Sequence, residues 1–180
     1  MTTDKEQQLY AQFKEFIGFG AQDAENLRTL APLFAQHGRQ VTDTFYERLL
    51  ATPETAPLIQ GRVDKLKDTH MKWMASLFQG EYGPGYLTER WRIGLTHVRV
   101  GIPPWWVEAV TSFLRDAGLG LIVANHPGAS GAALAQSYVK ILDIDLWIIN
   151  LAYNDERLAR LTTFTGMSRK LIERCVLQGK

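Results

Sequence analysis

The chain has a single cysteine and no long apolar run free of charged residues. Because Cys175 is the only thiol, an internal disulfide and a multi-cysteine zinc site are excluded, and a cytoplasmic setting is expected. The N-terminus, MTTDKEQQLY, is polar and lacks the apolar core of a secretory signal. The apolar stretch 141–152 is interrupted by Asp143, Asp145 and Asn150, so we expect no membrane insertion.

Neither sign of charge is in excess. The sequence has 20 basic and 19 acidic residues and no long block of like charge, so nucleic acid and polybasic membrane binding are not expected. It also lacks a glycine-rich phosphate loop, a nucleophile–base pair and a carboxylate dyad on one pocket face. We therefore do not expect this chain to be an enzyme.

Helical periodicity runs along the whole chain, and strand alternation is almost absent. Residues 3–6 form a capping-box sequence that begins a first helix, and Gly18 and Gly20 end it. Asp23 is predicted to cap a second helix that stops around Gly38.

Further helices are predicted through residues 41–50, 63–77, 86–100 and 105–114, and a long last helix from near Ser130. Six to eight helices with short joints and no strands indicate an all-α protein. Periodicity alone leaves a helical bundle and a globin-like fold as alternatives.

Two histidines lie on the apolar stripes of consecutive predicted helices. His70 shares its stripe with Leu66 and Trp73, and His97 shares its stripe with Ile93. A lone inward histidine is commonly a core residue with a hydrogen-bond partner. Two of them on helices joined by one loop could face each other across a gap, where neutral imidazole binds iron, zinc or copper. No carboxylate or thiolate lies on these stripes, so a haem between the helices fits better than a bare metal ion.

The segment WRIGLTHVRVGIP, residues 91–103, resembles the proximal-histidine segment of globin-coupled sensors and protoglobins. In that family a histidine precedes a hydrophobic-Arg-hydrophobic-Gly stretch and a proline-tryptophan turn. The resemblance implies a globin fold with an extra N-terminal helix, long C-terminal helices and haem b as cofactor. Similar segments follow one another in family order between about residues 16 and 153; they are 23–32, 45–48, 65–67, 77–80 and 140–145.

The resemblance implies roles for individual residues around the haem. His97 is the predicted proximal iron ligand. Gly94 would allow close approach to the porphyrin or, alternatively, to a neighbouring helix. Tyr46 is predicted to reach a gas ligand with its hydroxyl, and Thr69 to supply a second polar group. The alternatives are a Tyr46 hydroxyl bonded to a carbonyl and a Thr69 hydroxyl bonded to its own helix.

Position 70 departs from the family pattern, because many relatives have an apolar residue there. We predict that His70 is a displaceable sixth iron ligand opposite His97. The alternative is a distal histidine that only hydrogen-bonds a bound ligand or water. Predicted haem-pocket walls, each of which would serve equally well as ordinary core, are Phe45, Leu66, Trp73, Met74 and Ile93.

For function, the resemblance implies a haem-based sensor of oxygen, carbon monoxide or nitric oxide, or of redox state. Residues 1–155 are predicted to form the sensor globin domain. Residues 156–180 would form a helical extension towards an output domain outside this chain. Two alternatives are an electron-transfer globin, which two axial histidines would suit, and a haem-free helical interaction module with both histidines in its core.

The resemblance also implies a homodimer formed through the last two long helices, with a two-fold interface. These helices have more apolar residues than one face needs; the alternative is a well-filled monomer core. The residues concerned are Trp105, Val110, Phe113, Leu114, Ile141, Trp147 and Ile148.

Overall fold

The computed structural model describes residues 2–178, and these contain eight helices and no strand. The all-α prediction is confirmed. The helices are α1 (Asp4–Phe16), α2 (Ala21–Ala51), α3 (Ala56–Ile59), α4 (Val63–Ser76), α5 (Pro84–Arg99), α6 (Pro104–Asn125), α7 (Ala129–Thr165) and α8 (Arg169–Gln178).

The ends of α1 follow the local sequence signals. The backbone N–H of Thr3 donates to the Glu6 carboxylate, which completes the predicted capping box. After Phe16 the chain turns at Gly18, whose φ of 62° is accessible to glycine at little cost.

Helix α2 is one continuous helix of 31 residues, so the predicted stop at Gly38 is wrong. The glycine lies against α4, where a Cβ would be 2.8 Å from the Met74 sulfur and that side chain would have to shift. Asp23 is predicted to be the N-cap, but it is the third residue of the helix. Gly20 is the N-cap, and the Asp23 carboxylate accepts the Gly20 backbone N–H at 2.9 Å.

Helix α7 is the centre of the fold and packs against α2, α5, α6 and α8, while α4 packs mainly on α2. Between residues 137 and 153 most α7 side chains are buried on several sides. This explains why its sequence is apolar around most of its circumference. Helix α4 therefore packs mainly against α2 and helix α5 mainly against α7, and α4 and α5 do not pack extensively against each other.

The predicted domain boundary between residues 155 and 156 falls inside α7, which continues to Thr165. Gly166, with φ of 71°, ends the helix, and α8 folds back along it. Arg169 pairs with Asp155 at 2.5 Å, and Ile172 is buried. The extension is thus attached to the side of the globin helices.

Much of the apolar surplus predicted on α6 and α7 belongs to the interior of the single chain. Leu114, Ile141 and Ile148 are core residues. Trp105, by contrast, is 62% exposed. Among the helices of residues 2–178, none combines the length and the apolar character that a bilayer crossing requires.

Candidate functional site

His97 lies near the C-terminal end of α5, and its ring is held by its own helix. Nδ1 lies 2.8 Å from the carbonyl oxygen of Ile93, one turn earlier. A carbonyl only accepts, so Nδ1 carries the proton and Nε2 keeps its lone pair. Burial lowers the pKa of His97, which favours this neutral form. The geometry therefore gives an oriented imidazole with Nε2 available to a metal.

His70 lies on α4 within a ring of aromatic side chains. Its ring centroid is 5.0 Å from that of Phe45, 6.1 Å from Tyr46 and 5.1 Å from Trp73. Nδ1 is 2.9 Å from the Thr42 hydroxyl oxygen on α2. Burial lowers the pKa of His70 to about 4, so the imidazole is neutral at physiological pH.

The Nε2 atom of His70 is buried and has no hydrogen-bond partner among residues 2–178. Buried polar atoms are normally paired, so an orphaned one requires a reason such as a missing ligand. A metal bound at Nε2 would satisfy the atom.

The two histidines lie at comparable distances from the end where α4 and α5 are joined. Arg90 on α5 donates to the Ser76 hydroxyl at the end of α4. His70 precedes Ser76 by six residues and His97 follows Arg90 by seven, or about 9 and 10.5 Å along each helix at 1.5 Å per residue. The residues present therefore fit a haem held between α4 and α5.

Tyr46 and Phe45 form a small apolar cluster with Ile59 beside His70, and Leu66 packs against it. No described residue is hydrogen-bonded to the Tyr46 hydroxyl, although the side chain is buried. Burial raises the pKa of Tyr46 to about 12, so the hydroxyl keeps its proton. No carbonyl of residues 2–178 accepts from it, and it is not among the buried polar atoms that lack a partner, so the hydroxyl is free to meet a ligand or water.

The other predicted pocket residues divide between the site and ordinary packing. Thr69 is exposed and donates to the Lys65 carbonyl at 2.9 Å, which favours the own-helix alternative. Ile93 packs in a cluster with Ile149, one turn before His97. Met74 belongs to the main core, where it packs near Gly38.

Gly94 serves the contact between α5 and α7. A Cβ at this position would lie 2.7 Å from the Ala152 Cβ and 3.1 Å from the Ile149 carbonyl oxygen. The structure thus supports the helix-packing alternative for Gly94. Its effect on the site is indirect, because it allows the helix that carries His97 to lie close to α7.

A buried ionic network that the sequence did not predict contacts Trp73, one of the aromatic side chains around His70. Asp145 on α7 accepts hydrogen bonds from Trp73 Nε1 at 2.7 Å, from Arg90 Nε at 2.8 Å and from the Tyr86 hydroxyl. Burial raises the pKa of the Asp145 carboxyl, and the Arg90 guanidinium opposes that shift. The network ties Trp73, whose ring lies beside His70, to α5 and to the central helix α7.

An acidic residue inside an apolar stretch was the available signal for this network. Asp145 lies within the apolar stretch 141–152, and a buried carboxylate requires a cationic or hydrogen-bonding partner. Its partners Trp73 and Arg90 come from two other helices, so periodicity could not pair them.

The all-helical architecture, with one half-buried imidazole on each of α4 and α5, is that of a haem-binding globin domain. The protoglobin family model matches residues 6–159, so the chain belongs to the protoglobin family. The predictions of a sensor-type globin fold and of haem as cofactor are confirmed. The match is to globins rather than to a catalytic family.

Three relatives illustrate the similarity. The globin domain of the Geobacter sulfurreducens globin-coupled sensor is 35% identical, with a TM-score of 0.77, and the match covers 85% of this chain and 99% of that one. The ferric globin domain of Escherichia coli DosC shares the fold at 14% identity and a TM-score of 0.68, covering 79% and 98%. The haem-based aerotactic transducer HemAT of Halobacterium salinarum is 26% identical over 165 residues, 86% of this chain. The match covers only 33% of that transducer's length.

Proposed function

We propose that this chain is a haem-based sensor of a diatomic gas, with His97 as the proximal iron ligand and His70 as a displaceable sixth ligand. The observation that carries the proposal is the buried, unpartnered Nε2 of His70 on α4, together with the backbone-oriented His97 on α5. The aerotactic and globin-coupled sensor relatives favour gas sensing, with oxygen, carbon monoxide or nitric oxide as the ligand.

When bound, haem supplies an iron that can take a diatomic ligand on its distal side. If His70 held that iron, a gas could bind only to the molecules in which His70 is detached. The apparent gas affinity would then be the intrinsic affinity multiplied by the detached fraction. Occupancy of nine-tenths by His70 would lower that affinity roughly tenfold. The Tyr46 hydroxyl can donate to the gas, which typically contributes about 1 kcal/mol.

His70→Ala tests the distal role. We expect the wild-type protein to give a six-coordinate, low-spin absorption spectrum, and the variant a five-coordinate or water-bound one with faster carbon monoxide binding. His37→Ala on α2, outside the site, is the control and should keep the wild-type spectrum. An unchanged spectrum in His70→Ala would show that His70 does not bind the iron.

The pair of half-buried imidazoles also favours a second candidate, an electron-transfer globin. Two axial histidines suit an iron that changes oxidation state without changing ligands. The two functions differ in ligand access. Carbon monoxide rebinding measured together with the midpoint potential separates them, since an electron-transfer protein would keep His70 on the iron in the presence of gas.

We further propose that the sensor signals as a homodimer to an output domain, with the globin unit in residues 1–155 and a linking extension in 156–180. The exposed face of α6 supports the dimer. Trp105 and Val123 are 62% and 66% exposed, and their separation of 18 residues is five helical turns, which places them on one face. Ala109, Ser112, Asp116 and Gly120 are exposed along the same line, and the three small residues among them would allow a second helix to approach closely.

Ser112→Arg tests this face. We expect the wild-type protein to sediment as a dimer at micromolar concentration and the variant as a monomer, because the arginine would be forced into the centre of the interface. Thr96→Arg, at an exposed position of α5, should remain dimeric. A monomeric wild-type protein, or a Ser112→Arg variant that stays dimeric, would contradict the proposal.

A further inference from the structure

The hydroxyl of Thr42 is oriented differently from those of most other helical threonines in this chain. Thr29, Thr96 and Thr111 each donate to the carbonyl four residues earlier in their own helix, the usual arrangement for this residue. Thr42, on α2, points across to α4. It is fully buried, and its oxygen lies 2.9 Å from His70 Nδ1 and 3.2 Å from the Met71 sulfur.

One hydroxyl proton must serve these two contacts. If Thr42 donates to His70 Nδ1, the imidazole proton is on Nε2, which then has no lone pair for a metal. The Met71 sulfur is also left without a donor. If Thr42 donates to Met71 instead, its oxygen accepts from Nδ1–H, and Nε2 is unprotonated. Only the second arrangement satisfies both contacts.

The same conclusion follows from the unpartnered Nε2 atom. In the first arrangement an N–H donor would be buried without an acceptor among residues 2–178, which is unfavourable because its bond to water is lost and not replaced. In the second arrangement the unpartnered group is the lone pair of Nε2, which can bind an iron ion. The chain of contacts from Met71 through Thr42 to Nδ1 thus prepares Nε2 for coordination.

We infer that Thr42 is a positioning residue that fixes the tautomer of His70, with Met71 as the acceptor that holds the Thr42 proton away from the ring. The inference rests on the proposed coordination of iron by His70. On the proximal side the Ile93 carbonyl does the same for His97 from within α5. On the distal side the orienting group belongs to a different helix, so a shift of α4 against α2 would release the ring.

Thr42→Val, Thr42→Ser and Met71→Leu test the inference. Valine keeps the shape of threonine but removes the hydroxyl, and loss of an outer-shell partner typically lowers metal affinity about 10- to 100-fold. We expect Thr42→Val to lower the equilibrium constant for binding of His70 to the iron by about that factor. The low-spin fraction should fall as a result, and carbon monoxide should bind faster. Thr42→Ser should stay close to wild type, and Met71→Leu should lie between, because the freed hydroxyl proton can turn towards Nδ1.

The tautomer itself can be read by ¹⁵N NMR in the ferrous carbon monoxide complex, which is diamagnetic and has His70 off the iron. We expect a protonated Nδ1 in the wild type and in Thr42→Ser, and a mixed population in Met71→Leu. An Nε2–H tautomer in the wild type would overturn the inference. So would a low-spin fraction in Thr42→Val and Met71→Leu equal to that of the wild type.

These readouts separate the inference from the proposed function. A wild type that lacks the low-spin spectrum refutes His70 coordination, and the inference about its preparation falls with it. A low-spin wild type whose spectrum and His70 tautomer do not respond to the Thr42 and Met71 substitutions leaves the coordination standing and refutes the positioning role alone. If Thr42→Val does not fold, Met71→Leu provides the same test.

Discussion

His97→Gly is expected to lose nearly all of its capacity to hold haem and to recover it when imidazole is added. The substitution removes the only imidazole whose orientation is fixed within α5, where the Ile93 carbonyl accepts Nδ1–H at 2.8 Å. Removal of an outer-shell partner alone typically costs about 10- to 100-fold in metal affinity. Removal of the ligand itself should exceed that range, which hemin titration followed at the Soret band would measure.

The control is His37→Gly, which introduces glycine at another helical histidine. Glycine within a helix costs about 0.5–1 kcal/mol relative to alanine, and His37→Gly incurs this cost without touching the site. It should therefore bind hemin like the wild type. If His97→Gly binds hemin with wild-type affinity and keeps a low-spin spectrum, His97 is not the proximal ligand. His70→Ala, by contrast, should retain the haem.

Helix ends were the most predictable part of the fold, because their signals are local. The capping box at residues 3–6, which begins α1, required no tertiary information. The two errors in α2 have tertiary or positional causes. Gly38 resembles a helix end in sequence, but it is buried within a continuous helix against Met74 of α4, a contact that the local sequence does not show.

The site was predictable where one helix supplies the information. His70 and His97 lie on apolar stripes that the sequence shows directly, and the resemblance gave His97 its expected role. The contacts that orient or surround these rings come from other helices. Thr42 on α2 reaches His70, and Asp145 on α7 reaches Trp73, and only the tertiary structure brings these pairs together.

Asp145→Asn is expected to produce the largest loss of stability among conservative substitutions near the site. Asp145 is 2% exposed and Arg90 is completely buried, so the substitution removes the buried counter-charge of the guanidinium and leaves only the exposed Glu89 carboxylate, 3.4 Å from Nη1. Breaking one side of a buried ion pair typically costs about 3–5 kcal/mol. The total free energy of unfolding of a natural domain is about 5–15 kcal/mol, so urea denaturation should show the loss clearly.

Asp143→Asn is a matched control two residues away on the same helix. Its carboxylate also pairs with an arginine, Arg115, but both side chains are partly exposed, at 43% and 31%. Such pairs contribute about 0–1 kcal/mol because water screens them. The difference between the two asparagine variants therefore measures the effect of burial.

The double variant Arg90→Met/Asp145→Leu distinguishes a stranded charge from a lost contact. Apolar replacement of a whole buried ion pair is often neutral or stabilising, so the double variant should recover much of the stability that Asp145→Asn loses. The indole N–H of Trp73 and the Tyr86 hydroxyl would still lack an acceptor, so full recovery is not expected. If Asp145→Asn is as stable as Asp143→Asn, the Arg90 charge is not confined to the interior, and the network cannot be what holds Trp73 against α7.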